Sequence, residues 1–395
     1  MKNVKLVIFL LIIFSMVPVS MASINKSPAF GKIPKVRIRV GESLGSLNIS
    51  GTDLTRYLFP KRDLKVFSGR KRIKFNCTNF FKTDISKRKP ILLASLSSAT
   101  GLVTFENEKY KGKLLVLTSP WQNSCDVVHE TDLENYIPSL LSKEMNEKWP
   151  IEALKAQAVA ARTYALHKIH SQQVSRKLGY KAHYDLENSE KHQVSGTFFD
   201  ITATTKNATM ETGGEILVTS KGRMTPIFFH AESGGKTLLP EHVWDNHVDG
   251  YGRVKRPYKK CHFNWKTKIG IRKFRRFLKW YMKKHVGKKL KKSKIFGKVL
   301  VAPDRKENLK LRVYIGDRVY LIDKTFFRRF FGRKVFGSNT FEIKKKGGIL
   351  RVSGLGRGHG VGMSQIGAKY LAKIGWDYKQ ILGYYFPGHR LKKIY

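Results

Sequence analysis

The chain has 395 residues, 41% of them hydrophobic and 12% aromatic, which describes a globular protein with room for two or three units. Its 76 Lys and Arg against 29 Asp and Glu leave a formal net charge of +47. That excess goes far beyond what solubility requires and calls for an anionic polymer or surface as partner, whether nucleic acid, acidic lipid or cell-wall polymer.

The N-terminus narrows the choice. Lys2 and Lys5 precede an apolar run from Leu6 to Met16, followed by Pro18 and the small-x-small pattern Ser20-Met21-Ala22. This is the pattern of a secretory signal peptide cleaved after Ala22, too short for a comfortable membrane span, with an uncleaved anchor as the alternative. Export to the periplasm or cell envelope argues against a nucleic-acid partner. Three cysteines, Cys77, Cys125 and Cys261, exclude a disulfide-dense scaffold and a Cys-rich zinc module. One disulfide and one free thiol fit, with the pairing open.

After residue 23, Lys35 to Val40 alternates apolar and basic residues at period two, and short strand-like runs recur at Leu47–Ile49, Leu64–Phe67, Ile91–Leu96 and Leu114–Leu117. Residues 23–130 therefore read as a small all-β region. Residues 131–395 form the main unit. Pro150 opens a strong helix through the Ala-rich run from Ile151 to His170. At 100° per residue Lys155 and Arg162 share one stripe, while Gln157 and Tyr164 share roughly the opposite one. Tyr184 to Val194 reads as a loop. A short helix over 201–212 precedes a strand pair, Glu215–Thr219 and Thr225–His230, joined by the turn Ser220-Lys221-Gly222.

From Arg253 to Pro303 there is no Asp or Glu, yet Ile271, Phe274, Leu278, Tyr281, Met282 and His285 keep helical spacing. This is an amphipathic helix with a densely basic outer face. Strands resume at Lys310–Ile315, Val319–Ile322 and Ile349–Val352, with a helix near Lys324–Phe331. The fold class is α+β: a β-rich core with a few packed helices.

The densest motif is Gly354 to Ala368, with His359 inside a Gly-rich turn that lets the backbone approach a ligand closely. It lacks the Gly-Lys-Ser/Thr ending of a phosphate loop and the parallel-sheet context of a dinucleotide fold. Gly362 to Gly367 also misses the Gly-x-Ser-x-Gly elbow of serine hydrolases.

Three motifs in this order resemble the SpoIID/LytB family: Glu144-Met145 with Trp149-Pro150 and the run from Lys155 to Tyr164; His230 to Thr237; and Gly358 to Gln365. Tyr110-Lys111-Gly112, Tyr184-Asp185 with Gln193-Val194, the segment from Trp265 to Phe341 and the ending Tyr384 to Gly388 extend the resemblance over nearly all of the mature chain. It implies a peptidoglycan lytic transglycosylase that cuts the MurNAc–GlcNAc bond of peptide-stripped glycan strands to 1,6-anhydroMurNAc products. The alternative it carries is a non-catalytic enhancer of a cell-wall amidase.

By position, Glu144 matches the catalytic glutamate. Lys155, Gln157 and Arg162 match helix residues of the site, Ser233 lies in the Ser-Gly-Gly motif, and His230, His359, Ser364 and Gln365 complete the substrate-binding candidates. Peptidoglycan strands are the expected partner, with a wall amidase and an anionic wall or membrane surface as further ones.

A hydrolytic glycosidase needs two carboxyl groups, whereas a lytic enzyme manages with one that gives its proton to the glycosidic oxygen and then takes the proton of the MurNAc 6-hydroxyl. Lys155 and Arg162 are expected to read the lactyl carboxylate, at the cost of disfavouring protonated Glu144. Asp185 and Glu187 are the rival carboxylates, expected to cap loops. Some relatives hold zinc in the loop matching Tyr184–Val194. Here Glu187, Lys191 and His192 stand there without Cys, so no metal and no cofactor is expected. Lys143 before Glu144 is a second departure, since Ser is frequent at that position.

Overall fold

The computed structural model describes residues 32–59, 61–77, 89–179, 182–188, 196–287, 299–303, 309–315 and 318–395. The expected signal peptide and Lys191, His192, Gln193 and Val194 lie outside the described residues.

The chain begins with β1 (Lys35–Ser43), β2 (Ser46–Leu58), β3 (Asp63–Asn76), β4 (Leu92–Ser98), β5 (Leu102–Phe105), β6 (Glu108–Lys111), β7 (Lys113–Thr118) and β8 (Cys125–Asp132). With β9 (Leu186–Glu187) they form one sheet in the order β6-β5-β2-β4-β7-β8-β1-β9, with β3 paired to β2. The period-two reading of β1 holds: Val36 and Ile38 are buried. Its basic residues are not merely solvated, because Arg37 bonds Glu130 at 2.8 Å and Arg39 bonds Asp126 at 2.7 Å. Cys77 and Cys125 form a disulfide beside this sheet's core, and Cys261 is a buried free thiol.

Helices α1 (Leu133–Glu144) and α2 (Ile151–Lys177) follow. Sequence periodicity missed α1, whose interior contains Pro138. In α2, 16 of 27 residues are buried. Its alanines let neighbours pack at short range, so α1, α3 (Ala203–Glu211) and β10 (Glu215–Thr219) all lie against it. The expected hairpin after β10 does not form. The turn is present, with Thr219 N–H donating to Arg223 O at 2.9 Å, but β10 pairs antiparallel with the C-terminal strand β19 (His389–Lys393) from Glu215↔Lys393 to Thr219↔His389. Among the described residues β10 thus pairs with a strand at least 170 positions away, which local turn chemistry does not reveal.

Beyond β11 (Phe229–His230) and α4 (Glu241–Trp244), a satellite unit carries its own core. It contains β12 (Asn264–Gly270), α5 (Ile271–His285), β13 (Val299–Pro303), β14 (Lys310–Ile315), β15 (Arg318–Asp323), α6 (Lys324–Phe331), β16 (Phe341–Lys346) and β17 (Ile349–Leu355). The apolar stripe of α5 is used here: Phe274, Phe277, Leu278, Tyr281 and Met282 are buried. Phe277 lies 4.3 Å, ring to ring, from Phe327 of α6. The chain then returns to the main core through β18 (Met363–Ser364), α7 (Gln365–Lys373), α8 (Tyr378–Tyr385) and β19. The architecture is α+β.

Candidate active site

Glu144 is the last residue of α1, and the extended Met145 turns the chain away before α2 begins. The other two motifs meet it through a short parallel pairing, Phe229↔Met363 and His230↔Ser364. Gly362 makes this pairing possible. It has φ +71°, and a Cβ there would collide with the Phe228 carbonyl oxygen. Ser364 then caps α7 by accepting from Gly367 N–H at 3.2 Å. The cap directs the next side chain to the acid: Gln365 Nε2 donates to Glu144 Oε2 at 3.3 Å.

Around Glu144 opens a cleft of about 830 Å³ between the main core and the satellite unit. Tyr164, Lys168, Phe228, His230, His359 and Gln365 belong to the lining, as do Trp265, Arg328, Arg333 and Lys334 of the satellite unit, together with Trp244 and Arg357. Aromatic and cationic side chains make up much of the lining, while Glu144 is the one Asp or Glu among the described lining residues.

Val361 fixes two histidines in opposite tautomers. Its carbonyl accepts from His230 Nδ1 at 3.0 Å, and its N–H donates to His359 Nδ1 at 3.1 Å. His230 therefore carries its proton on Nδ1, and its buried Nε2, without a partner among the described residues, is an acceptor. Burial pushes the His230 imidazole down to about 4. Burial, then His230, Arg328 and Arg333, hold His359 well below the ordinary histidine range. Both rings are neutral near pH 7. Beneath Glu144 the phenol of Tyr136 is held well above its usual range, by burial first and the charge of Glu144 second.

A family model described as Stage II sporulation protein, SpoIID, matches residues 121–218. The chain is 32% identical over 286 residues to an uncharacterized protein of Brachyspira hyodysenteriae, spanning 72% of this chain and 73% of that one. It is 28% identical over 279 residues to the stage II sporulation protein D of Bacillus subtilis, spanning 67% of this chain and 76% of that protein. It is also 25% identical over 297 residues to the amidase enhancer of Bacillus subtilis, spanning 65% of this chain and 40% of that one. The chain belongs to the SpoIID/LytB family.

In this SpoIID/LytB protein, Glu144, His230, His359 and Gln365 come together at the cleft, and the other expected site residues do not line it. Lys155 pairs with Glu152 at 2.7 Å and with Glu211 at 2.5 Å. Arg162 is fully buried and grips Glu134 with both arms, Nε to Oε1 at 2.7 Å and Nη2 to Oε2 at 3.0 Å, while also donating to Glu215 O and Thr209 O. The Tyr395 hydroxyl donates to the same Glu134. Lys155 and Arg162 thus tie helices and the C-terminus together instead of facing a ligand. Gln157 is buried with neither amide atom bonded among the described residues, Ser233 is buried, and Ser364 serves as the α7 cap.

The rival carboxylates are likewise engaged. Asp185 accepts from Arg37 N–H at 2.9 Å and from Arg176 at 2.8 Å, and Glu187 pairs with Arg39 at 3.1 Å. The charge of Lys143 is taken by Asp200 at 2.8 Å.

Sequence reasoning missed Lys168 and the satellite's contribution. Lys168 stands one turn after Tyr164 on the same face of α2, a spacing available in the sequence. Arg328, Arg333 and Trp265 had no local signal, because a tertiary fold brings them in. Glu232 was missed too: it accepts from Tyr258 at 2.7 Å, Cys261 at 3.0 Å and the amides of His262 and Phe263 at 3.0 and 2.8 Å, fixing the far wall.

Proposed function

We propose that this protein remodels the cell wall by cutting peptidoglycan glycan strands without water, as a lytic transglycosylase acting on peptide-stripped strands. The observation that carries the reading is the single carboxylate in an otherwise cationic and aromatic cleft. Two-carboxylate hydrolysis needs a second carboxyl group roughly 5–9.5 Å from the first, and the described lining residues include no other Asp or Glu.

The chemistry follows from the residues. Protonated Glu144 gives its proton to the glycosidic oxygen as the C1–O bond breaks. The resulting carboxylate takes the proton of the MurNAc 6-hydroxyl while that oxygen closes on C1, so the product is a 1,6-anhydro sugar and the acid is regenerated. Gln365 orients the carboxyl group. His230 Nε2, neutral and acceptor-only, receives a sugar hydroxyl. Trp244 and Trp265 offer faces to the rings. The lactyl carboxylate, a free charge only once the peptide is gone, meets Lys168 and Arg357 in the role first expected of Lys155 and Arg162.

Export through the N-terminal signal, with action in the cell envelope, agrees with the Cys77–Cys125 disulfide. Incubating the chain with peptide-stripped strands and searching for anhydro-MurNAc ends by mass spectrometry tests the activity. The likeness to an amidase enhancer favours one second reading, in which the cleft holds glycan while an amidase cuts. That reading requires a higher amidase rate in the presence of this protein and no anhydro ends.

A further inference from the structure

The satellite unit, residues 264–355, holds 29 of the 76 Lys and Arg but only five of the 29 Asp and Glu. Its three-stranded sheet β12-β17-β16 buries one face and exposes the other. Antiparallel register sets Lys268 opposite Arg351 and Arg351 opposite Lys344, so three exposed cations stand in one row across the sheet. None of the three has an ion pair among the described residues. Like charges directly opposite each other destabilise a sheet, and the nearest opposing charge on this face is Glu342, in the next row with Lys266. At about 3.3 Å per residue, the row lies some 13 Å along β12 from Asn264, and Asn264 lines the cleft of Glu144 together with Gly356 and Arg357 at the end of β17.

We propose that the exposed face of this sheet is a second binding surface, which holds a peptide-stripped glycan strand where it leaves the cleft by pairing the Lys268–Arg351–Lys344 row with the strand's lactyl carboxylates. The inference rests on the glycan reading of the cleft. It adds a polymer-length requirement: a short glycan fills the cleft alone, whereas a long strand gains the row. Charge complementarity of the cationic row and continuity with the cleft mouth select this occupant over a lipid surface.

The test uses the full chain carrying Glu144→Gln, so that binding is read without turnover, with and without Lys268→Gln, Arg351→Gln and Lys344→Gln together. The triple change is expected to weaken binding of long stripped strands about tenfold at low salt, equivalent to ~1.4 kcal/mol, and to flatten the salt dependence. Short stripped glycans, and long strands whose carboxylates have been converted to neutral amides, should bind both proteins alike. Lys268→Arg with Lys344→Arg should bind like the parent. A thermal midpoint that is not lowered in the triple variant checks the fold. Equal binding of long strands by parent and triple variant would overturn the proposal, as would an equal loss for amidated strands or preferential capture by anionic vesicles. If the row binds carboxylated strands but the unmutated chain yields no anhydro ends, the catalytic reading fails and the surface stands.

Discussion

Gln365 Nε2 donates to Glu144 Oε2 across 221 positions of sequence, joining the C-terminal end of α1 to the first residue of α7. The bond exists because Ser364 caps α7 and Gly362 lets the strand before it lie against Phe228. Gln365 is a positioning residue in the proposed reaction. Replacing it with Ala should lower kcat about tenfold to a hundredfold with little change in KM, and Gln365→Glu should shift the acid limb of the pH–rate profile by placing a second carboxyl beside the first. A Gln365→Ala enzyme with unchanged kcat would remove the residue from the mechanism.

Arg162 and Lys155 should separate in their effects. Arg162→Met leaves Glu134 without its bidentate partner and the two backbone carbonyls of Thr209 and Glu215 without their common donor, so the expected cost is about 3 kcal/mol or more. Lys155→Ala disrupts partly exposed ion pairs and should cost less than ~1 kcal/mol. Denaturant midpoints of the two variants measure this. Because neither side chain lines the cleft, Lys155→Ala should keep near-normal activity.

Acid should unfold the protein over two windows. His129, His230 and His389 are each pushed by burial from 6.5 to about 4. Their folded-state values are depressed, so the unfolded chain binds more protons between these limits. The stability they contribute is complete above pH 6.5 and is lost as pH falls towards 4, by up to about 1.4 kcal/mol per pH unit for each group. Glu232 extends the loss. Burial would raise it, but hydrogen bonds from Cys261, His262, Phe263 and Tyr258 outweigh burial and hold it at about 2, so its contribution fades from pH 4.5 downward. Thermal midpoints should therefore fall steeply below pH 6.5, and a flat profile between pH 7 and 5 would contradict these buried neutral rings.

Local patterns made parts of this structure legible. The period-two residues of β1, the Ala-rich α2, the stripe of α5 and the glycine turn before α7 all carry their structure in neighbouring residues. The three motifs also named Glu144, His230, His359 and Gln365. What local pattern does not encode is the partner of an edge: turn chemistry pairs β10 with the next strand in sequence, whereas the fold pairs it with β19. Helix α1 hid because Pro138 interrupts its pattern. The stripe shared by Lys155 and Arg162 was correctly drawn, but which side of α2 faces the cleft is decided by Glu134, Glu152 and Glu211, and the opposite stripe of Tyr164 and Lys168 supplies the lining. The satellite's cations reach the site only through the fold.

The central claim is that Glu144 alone moves the proton. Mass-spectrometric quantitation of anhydro-MurNAc ends released from peptide-stripped strands by the unmutated chain and by Glu144→Gln tests it most directly. Steady release by the former and a loss of about 10²–10⁴-fold in the latter, with thermal midpoint and strand binding retained, is the expected result. Undiminished release by Glu144→Gln, or reducing-end MurNAc in place of the anhydro form, would contradict it.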